Sequence, residues 1–478
     1  MTKNTAHIAI VGGGFSGTLA TVHLVKLLTE TKSAAKIYLI EKTNKLAKGI
    51  AYDTHCDLHL LNVIAQEMSA FPAEKDHFIN WLSKRFSAVS PSAFISRKIY
   101  GEYITEILET AIATKGEGVE IEFVSDEAVE LSADEKQLIL ASGRAIDVDR
   151  VVLATGNFEP TAFAANSGAT TSDVYVNNPW SHDALNNLSP NDNILLIGTG
   201  LTSVDVAVQL YGAGHKGIIT AISRHGLLPN RHRVFNRIDG QVPAEALPSV
   251  LPTKLRELFS LVREKCDKAV CVDSDWRHVI NEVRPQVQSV WKNFDITDKK
   301  RFLRHLRAHW EVVRHRIAPD VANIIDELRE DYRLRIVAGR LQTITVDGNA
   351  AQVTMRLRKS GRVQTASYRR IINCTGPDLK ITSTSDPLIK NLLNSQAVAA
   401  DDLGLGIQLD EHGYAIKPNQ MRSETILAIG NLRKGQLWET TAVPELRGQA
   451  ADVAHQIVDS LFLGVVTRNA VERGITSV

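Results

Sequence analysis

Two glycine-rich turns, each set between an apolar strand and a helical stretch, constrain this chain more than any other feature. The first reads Ile8-Ala9-Ile10-Val11-Gly12-Gly13-Gly14-Phe15-Ser16-Gly17, and the second reads Ile194-Leu195-Leu196-Ile197-Gly198-Thr199-Gly200-Leu201-Thr202-Ser203. A single glycine cluster arises by chance in many loops. Two in register with β-branched apolar runs, each followed by a helix, point to two Rossmann-like units and so to an α/β fold.

In the first unit Gly12 permits the tight turn, Gly14 lets the backbone approach a pyrophosphate, and Gly17 lets the helix Thr18 to about Glu30 pack closely. Phe15 and Ser16 open that helix, whose free N–H groups and dipole favour an anion. The next strand, Lys36 to Ile40, ends at Glu41, where a carboxylate takes ribose hydroxyls and repels a 2′-phosphate. This half is expected to hold FAD or NAD.

In the second unit Ser203 replaces the last glycine but stays small, and Thr202 stands beside it on the helix. The following strand, Ile218 to Ile222, ends in Ser223-Arg224-His225 instead of an acid. A guanidinium there suits a 2′-phosphate, which points to NADPH. A surface Arg after a strand is the competing reading.

The two halves repeat each other further on. An alternating stretch, Val119 to Leu140, precedes Arg150-Val151-Val152-Leu153-Ala154-Thr155-Gly156. Another, Leu334 to Ser367 with an Asp347-Gly348 turn, precedes Arg370-Ile371-Ile372-Asn373-Cys374-Thr375-Gly376. The duplication implies two dinucleotide domains, the second inserted in the first: 1–160 with 370–478 for FAD, and 185–230 with 331–369 for NADPH. Completing the first falls to Ile426-Leu427-Ala428-Ile429-Gly430-Asn431, read as a last parallel strand, and to a helix from Pro444 to about Ser460. Proline suits a first helical position. Thr441 and Ala442 lie just before that helix, whose N-terminus would face the flavin N1–C2=O edge.

The range 231–330 reads as a helical lid or substrate region, with helices over Pro252 to Lys265, Trp276 to Asn293 and Thr297 to Arg316. The third is basic, and its Arg304, Arg307 and Arg314 are either a solvated face or an anion site for NADPH phosphates or a carboxylate substrate. Leu303 and Trp310 are expected to pack inward. Cys266 and Cys271 have a CxxxxC spacing, but five residues on a helix place them on different faces, against a redox disulfide.

With 478 residues and 44% hydrophobic content the chain has room for more than one core, and its net charge of +1 gives no general attraction to nucleic acid or membrane. Its N-terminal apolar stretch is too short for a secretory signal, and no run reaches the roughly 18 residues of a membrane span. A cytoplasmic enzyme with scattered, reduced cysteines is expected.

Several further segments carry a family resemblance: Gly49-Ile50-Ala51-Tyr52, Leu60-Leu61-Asn62-Val63, Met68-Ser69-Ala70-Phe71-Pro72, Ser223 to Pro229, Asn373 to Pro377, and Trp438-Glu439-Thr440-Thr441. Through them nearly the whole chain resembles a group of two-dinucleotide flavoproteins with a glutathione-reductase-like layout. That group includes a flavin-dependent urate hydroxylase and an aspartate N-monooxygenase that makes nitrosuccinate. The resemblance implies FAD, NADPH and O₂, and hydroxylation of a small, anionic, nitrogen-containing substrate (amino acid or purine-like) through a C4a-peroxyflavin. It carries FAD contacts onto Gly12, Gly14, Gly17, Glu41, Tyr52, Asn62, Val63, Thr155, Gly156, Gly430, Asn431, Thr441 and Ala442, and NADPH contacts onto Gly198, Gly200, Thr202, Ser203, Arg224, Thr375 and Gly376. Asn62 is the candidate catalytic amide, able to bond the flavin or a peroxide oxygen, or else to fix its own turn. Two other functions stay open: a reductase passing electrons to a quinone, disulfide or protein, and a non-catalytic FAD sensor.

Overall fold

The computed structural model describes residues 5–163, 173–181, 183–233, 247–271 and 275–463. The ends of the ranges 1–160 and 370–478, and parts of 231–330, therefore lie outside the described residues.

Each glycine turn sits in its own sheet. In the first sheet Arg150–Leu153, Ala6–Val11, Ala35–Ile40 and Val119–Val124 lie side by side and parallel, with Arg422–Ala428 and Tyr414–Ile416 added beyond Arg150–Leu153. In the second, Arg370–Asn373, Ile194–Ile197, Ile219–Ser223 and Leu334–Asp347 repeat the same four-strand order, and Tyr175–Val176 adds an edge. The registers correspond as well: Val11 lies beside Leu153, and Ile197 beside Asn373. Strands buried on both faces read as continuous apolar runs, which is why Ile8–Val11 and Ile194–Ile197 show no alternation. Apolar clusters line both faces of each sheet.

Three boundaries differ from the sequence reading. Arg370–Asn373 pairs with the second fingerprint strand, so the second domain runs past 370 to the Thr375-Gly376 turn. Pro319–Glu330, placed by its sequence range in the insertion, is the crossover helix of the second domain. Its Val321, Ala322, Ile325 and Leu328 share a core with Val204 and Val208 of the helix Leu201–Gly212. Val119–Val124 belongs to the parallel sheet, and the first meander is instead the separate sheet Ala128–Leu131, Gln137–Leu140 and Ala145–Asp147. Alternation cannot separate an edge parallel strand, half exposed, from a meander strand.

The insertion keeps a core of its own, in which Leu303 and Trp310 pack against Trp291, Phe294 and Trp438. Its basic helix is broken: Ile296–Arg301, then a π turn at Phe302–Leu306, then Arg307–Arg314. Such widened turns cluster at functional sites. The preceding helix is likewise divided at Arg284–Gln286, where Pro285 has no N–H to donate.

The two dinucleotide domains are latched together. Arg97 forms a two-pronged pair with Asp205 of the helix Leu201–Gly212, at 2.8 and 3.1 Å, and both side chains are largely buried. His59 Nε2 lies 3.0 Å from the carbonyl of the same Asp205.

Candidate dinucleotide clefts

The first turn is shaped by close backbone approach. Gly12 has φ +109°, and a Cβ there would lie 2.2 Å from the Ala154 carbonyl oxygen. A Cβ on Gly17 would lie 1.8 Å from the Gly12 carbonyl oxygen, so that position accepts no side chain. Gly14 caps the helix Phe15–Glu30 without any side-chain bond to its free N–H groups. Glu41 Oε2 accepts the Gly13 N–H at 2.8 Å and Oε1 accepts from Thr43, which aims the carboxylate at the turn and leaves lone pairs for hydroxyl donors.

Around this turn the polar atoms fit a bound cofactor. Thr155 Oγ1 and Asn431 Oδ1 are buried without a hydrogen-bond partner. Such groups are costly unless something bonds them. Gly156 and Gly430 have φ +71° and +75°, and Ser16 Oγ would lie 3.7 Å from a Cβ on Gly430, which ties the C-terminal strand to the first fingerprint. Thr440 Oγ1 donates to the Gly430 carbonyl, and Gln449 Oε1 accepts the Gly430 N–H at 2.9 Å. Thr441 and Ala442 lead into the helix Val443–Val458, and Ala442 caps it with no side-chain bond. These residues fit FAD.

Phe15 and Tyr52 turn their rings inward. Both are buried in a ring cluster with Tyr100, whose centroid lies 4.8 Å from that of Tyr52. Burial also pushes the Tyr52 hydroxyl well above its usual range. Val63 packs against the same core. Asn62 makes no hydrogen bond among the described residues, so its amide fixes no turn.

The second turn copies the first. Gly198 has φ +123°, and its Cβ would meet the Cys374 carbonyl oxygen at 2.3 Å. Gly200 and Gly376 face open space. Thr202 and Thr375 line the same cleft, whose volume is about 610 Å³, and Ser203 is buried beneath it. Thr199 Oγ1 lies 2.8 Å from Ser223 Oγ, joining the turn to the end of the next strand.

Beside that strand end lies a pocket of about 560 Å³, lined by Arg224, Arg304, Arg340, Arg356 and Arg358 with His225 and His305. Among the described residues no acidic side chain lines it, and none of its five arginines pairs with a carboxylate. Arg340 and Arg356 are direct cross-strand partners. Like charges placed so repel each other unless an anion intervenes. Burial, with Arg358, His309 and Arg224 adding to it, holds His225 below its usual range. Arg340, Arg356 and Arg358 escaped the sequence reading because antiparallel pairing brings them together from distant positions.

The three arginines expected at an anion site separate. Arg304 faces both the arginine pocket and the main cleft, and Arg307 lines only the main cleft, where it pairs with Glu311. Arg314 binds Glu439 Oε2 at 2.7 Å, with both side chains nearly buried. It holds a loop, and its charge is already met. Trp310 Nε1 donates to Glu439 Oε1 at 2.6 Å, Gln288 Nε2 to the Glu439 carbonyl at 3.1 Å, and Trp291 Nε1 to the Gly435 carbonyl at 2.8 Å. The insertion thus grips residues 435–439, just before the turn that closes the first cleft.

Fold and clefts together define a protein with two Rossmann-like α/β domains, each with a cleft at its glycine turn, and a helical insertion docked on the first. Residues 9–158 match the family model described as FAD-NAD(P)-binding. Over 231 residues the chain is 25% identical to a nitrosuccinic acid synthase of Aspergillus oryzae (strain ATCC 42149 / RIB 40), a match covering 43% of this chain and 35% of that protein. The chain thus spans about a third of that relative's length. The fold is similar to L-lysine 6-monooxygenase from Pseudomonas syringae, with TM-score 0.64 and 14% identity over 96% of this chain and 100% of that one. It is also similar to thioredoxin reductase from Lactococcus lactis, with TM-score 0.51 and 13% identity over 95% and 97%. No helix among the described residues is long and apolar enough to cross a membrane.

Proposed function

We propose that this chain is an FAD-containing, NADPH-using monooxygenase that hydroxylates a small, anionic, nitrogen-containing compound. One observation carries the reading. The cleft over the second glycine turn, with its arginine pocket, also reaches Lys434, three residues past Asn431 at the flavin turn. A donor in the second domain and an acceptor in the first would then meet across one space. The likeness to a nitrosuccinic acid synthase and a lysine monooxygenase supports nitrogen as the oxidised atom.

Bound together, FAD and NADPH would supply hydride transfer and oxygen activation. The chain's own residues orient and enclose. Gly12, Gly14 and Gly17 bring the backbone to one pyrophosphate, and Gly198 and Gly200 to the other. Glu41 holds a ribose, and the arginine pocket holds the 2′-phosphate. Asn62 offers a free amide at the flavin. The insertion, gripping Glu439 and Gly435, keeps water from the reacting centre.

Thioredoxin reductase shares the fold, which favours a reductase as the second reading. Cys266 and Cys271 are free cysteines on the helix Leu255–Cys271, remote from both glycine turns in sequence. The test is oxygen uptake and NADPH oxidation by the FAD-loaded protein against a panel of amino acids and purines, with product analysis. Substrate-stimulated oxygen consumption with an oxygenated product is expected. Rapid anaerobic turnover with an artificial acceptor, and no oxygenated product from any candidate, would establish the reductase instead.

A further inference from the structure

Lys434 follows the turn Gly430–Arg433, on the loop that leads from the last strand of the first sheet to the helix Val443–Val458. Its side chain is half-buried and lines the cleft shared with Gly200 and Gly376 of the second domain. The ammonium lies 5.3 Å from the centroid of the Trp438 ring. That ring is itself fixed by Trp291 at 5.0 Å and Phe302 at 5.3 Å. Among the described residues the Lys434 ammonium makes no hydrogen bond and no ion pair, and only its backbone N–H is bonded, to the Asn431 carbonyl at 3.0 Å.

Both carboxylates near it are engaged elsewhere. Glu311 takes Arg307 at 3.1 Å, and Glu439 takes Arg314 and Trp310. His315, beside it on the insertion, is driven down to about 3 by burial and by Arg314, Lys434 and Arg284, so it stays neutral. A cation left in a half-buried cleft without a counter-charge is costly unless a ligand supplies one.

The cofactors' phosphates have other partners in the reading above. The 2′-phosphate faces the five-arginine pocket, and each pyrophosphate faces a helix N-terminus. Lys434 comes instead from the loop after the last strand of the first sheet and lines the cleft over the second turn. We propose that the Lys434 ammonium, held on Trp438, anchors the carboxylate or other anionic group of the substrate. This deepens the monooxygenase reading and rests on it.

Burial pulls the ammonium down to about 8, with Glu311 and Glu439 opposing and Arg307 adding. The groups facing it are therefore Arg307, Glu311 and His315 of the insertion and Glu439 of its own loop. As pH rises through 8 the anchor loses its charge, and affinity for an anion falls.

The experiment uses the FAD-loaded protein with saturating NADP⁺, and succinate as probe with the neutral succinamide as control. Binding is read from the flavin difference spectrum. Wild type is expected to bind succinate and not succinamide. Lys434→Ala and Lys434→Gln should weaken succinate binding about tenfold or more, while Lys434→Arg restores most of it. The KM for NADPH should change far less than succinate affinity does. Absence of succinate binding to wild type, equal affinity in Lys434→Ala, or a loss falling mainly on NADPH would each overturn the proposal. Failure of the monooxygenase reading shows separately, as wild-type turnover of NADPH that yields no oxygenated product from any candidate substrate.

Discussion

In the first unit the turn glycine would bring a Cβ to 2.2 Å from the Ala154 carbonyl oxygen, and in the second to 2.3 Å from that of Cys374. Both turn glycines have positive φ, both helices are capped by a bare glycine, and both closing strands run into a Thr-Gly turn. The backbones are therefore near copies. What differs is charge at the end of the second strand: the Glu41 carboxylate in one unit, the Arg224 guanidinium with four further arginines in the other. On the function proposed above, backbone geometry makes a dinucleotide site, and side-chain charge selects which dinucleotide enters it.

The sharpest way to break the comparison is at the third fingerprint position, glycine in one unit and serine in the other. Gly17→Ser would place in the first unit the residue the second already tolerates at Ser203. Because a Cβ at Gly17 meets the Gly12 oxygen at 1.8 Å, the variant should purify without flavin or fail to fold. Ser203→Gly should keep NADPH reduction of the flavin. Flavin content at 450 nm and anaerobic reduction rates check both arms.

Next in size is the latch between the units. Arg97→Ala strands Asp205 in a largely buried setting and should cost about 3 kcal/mol of unfolding free energy. Urea unfolding measures it, and a change near zero would mean that the domains do not depend on the pair.

The charge difference itself gives a smaller effect. Arg224→Ala should raise the KM for NADPH about tenfold and that for NADH little, because one charge-assisted contact to the 2′-phosphate is lost. Equal changes would remove Arg224 from that site. Arg340→Ala should act in the same sense.

A pH effect appears only in acid, and each unit shows it through a buried histidine with an unpartnered Nε2, His23 in the first and His215 in the second. Burial, with Lys26 and His455 adding, pulls His23 down to about 4. Between pH 6.5 and 4 the unfolded chain takes up a proton that the folded chain resists. Stability should therefore fall as pH falls through that window, by at most about 1.4 kcal/mol per pH unit from His23. His23→Gln should flatten the slope seen in urea titrations at pH 4.5 and 6.5.

Local pattern reveals much of this molecule. The glycine turns, both Thr-Gly strands, Glu41 and Arg224 are contiguous with the strands that position them, so reading along the chain finds them. Arrangements that depend on pairing were not legible. Arg340 and Arg356 meet only because Leu334–Asp347 and Ala350–Leu357 are antiparallel in that register. Arg314 reads as free charge until Glu439, distant in sequence, folds against it. Phe15 opens the first helix and Tyr52 enters only through the family resemblance, and neither sign reveals that their rings pack on Tyr100. The helix Pro319–Glu330 merges into the insertion by periodicity alone, and only its shared core with Leu201–Gly212 assigns it to the second domain.

The central claim is that two like clefts hold unlike cofactors and pass electrons in one direction. It is tested most directly by mixing the FAD-loaded protein anaerobically with NADPH, for wild type and for Gly198→Ala, while flavin absorbance is followed. NADPH should bleach the wild-type flavin. Gly198→Ala should retain its flavin and be bleached by dithionite but not by NADPH. Bleaching of Gly198→Ala by NADPH at the wild-type rate would contradict the account.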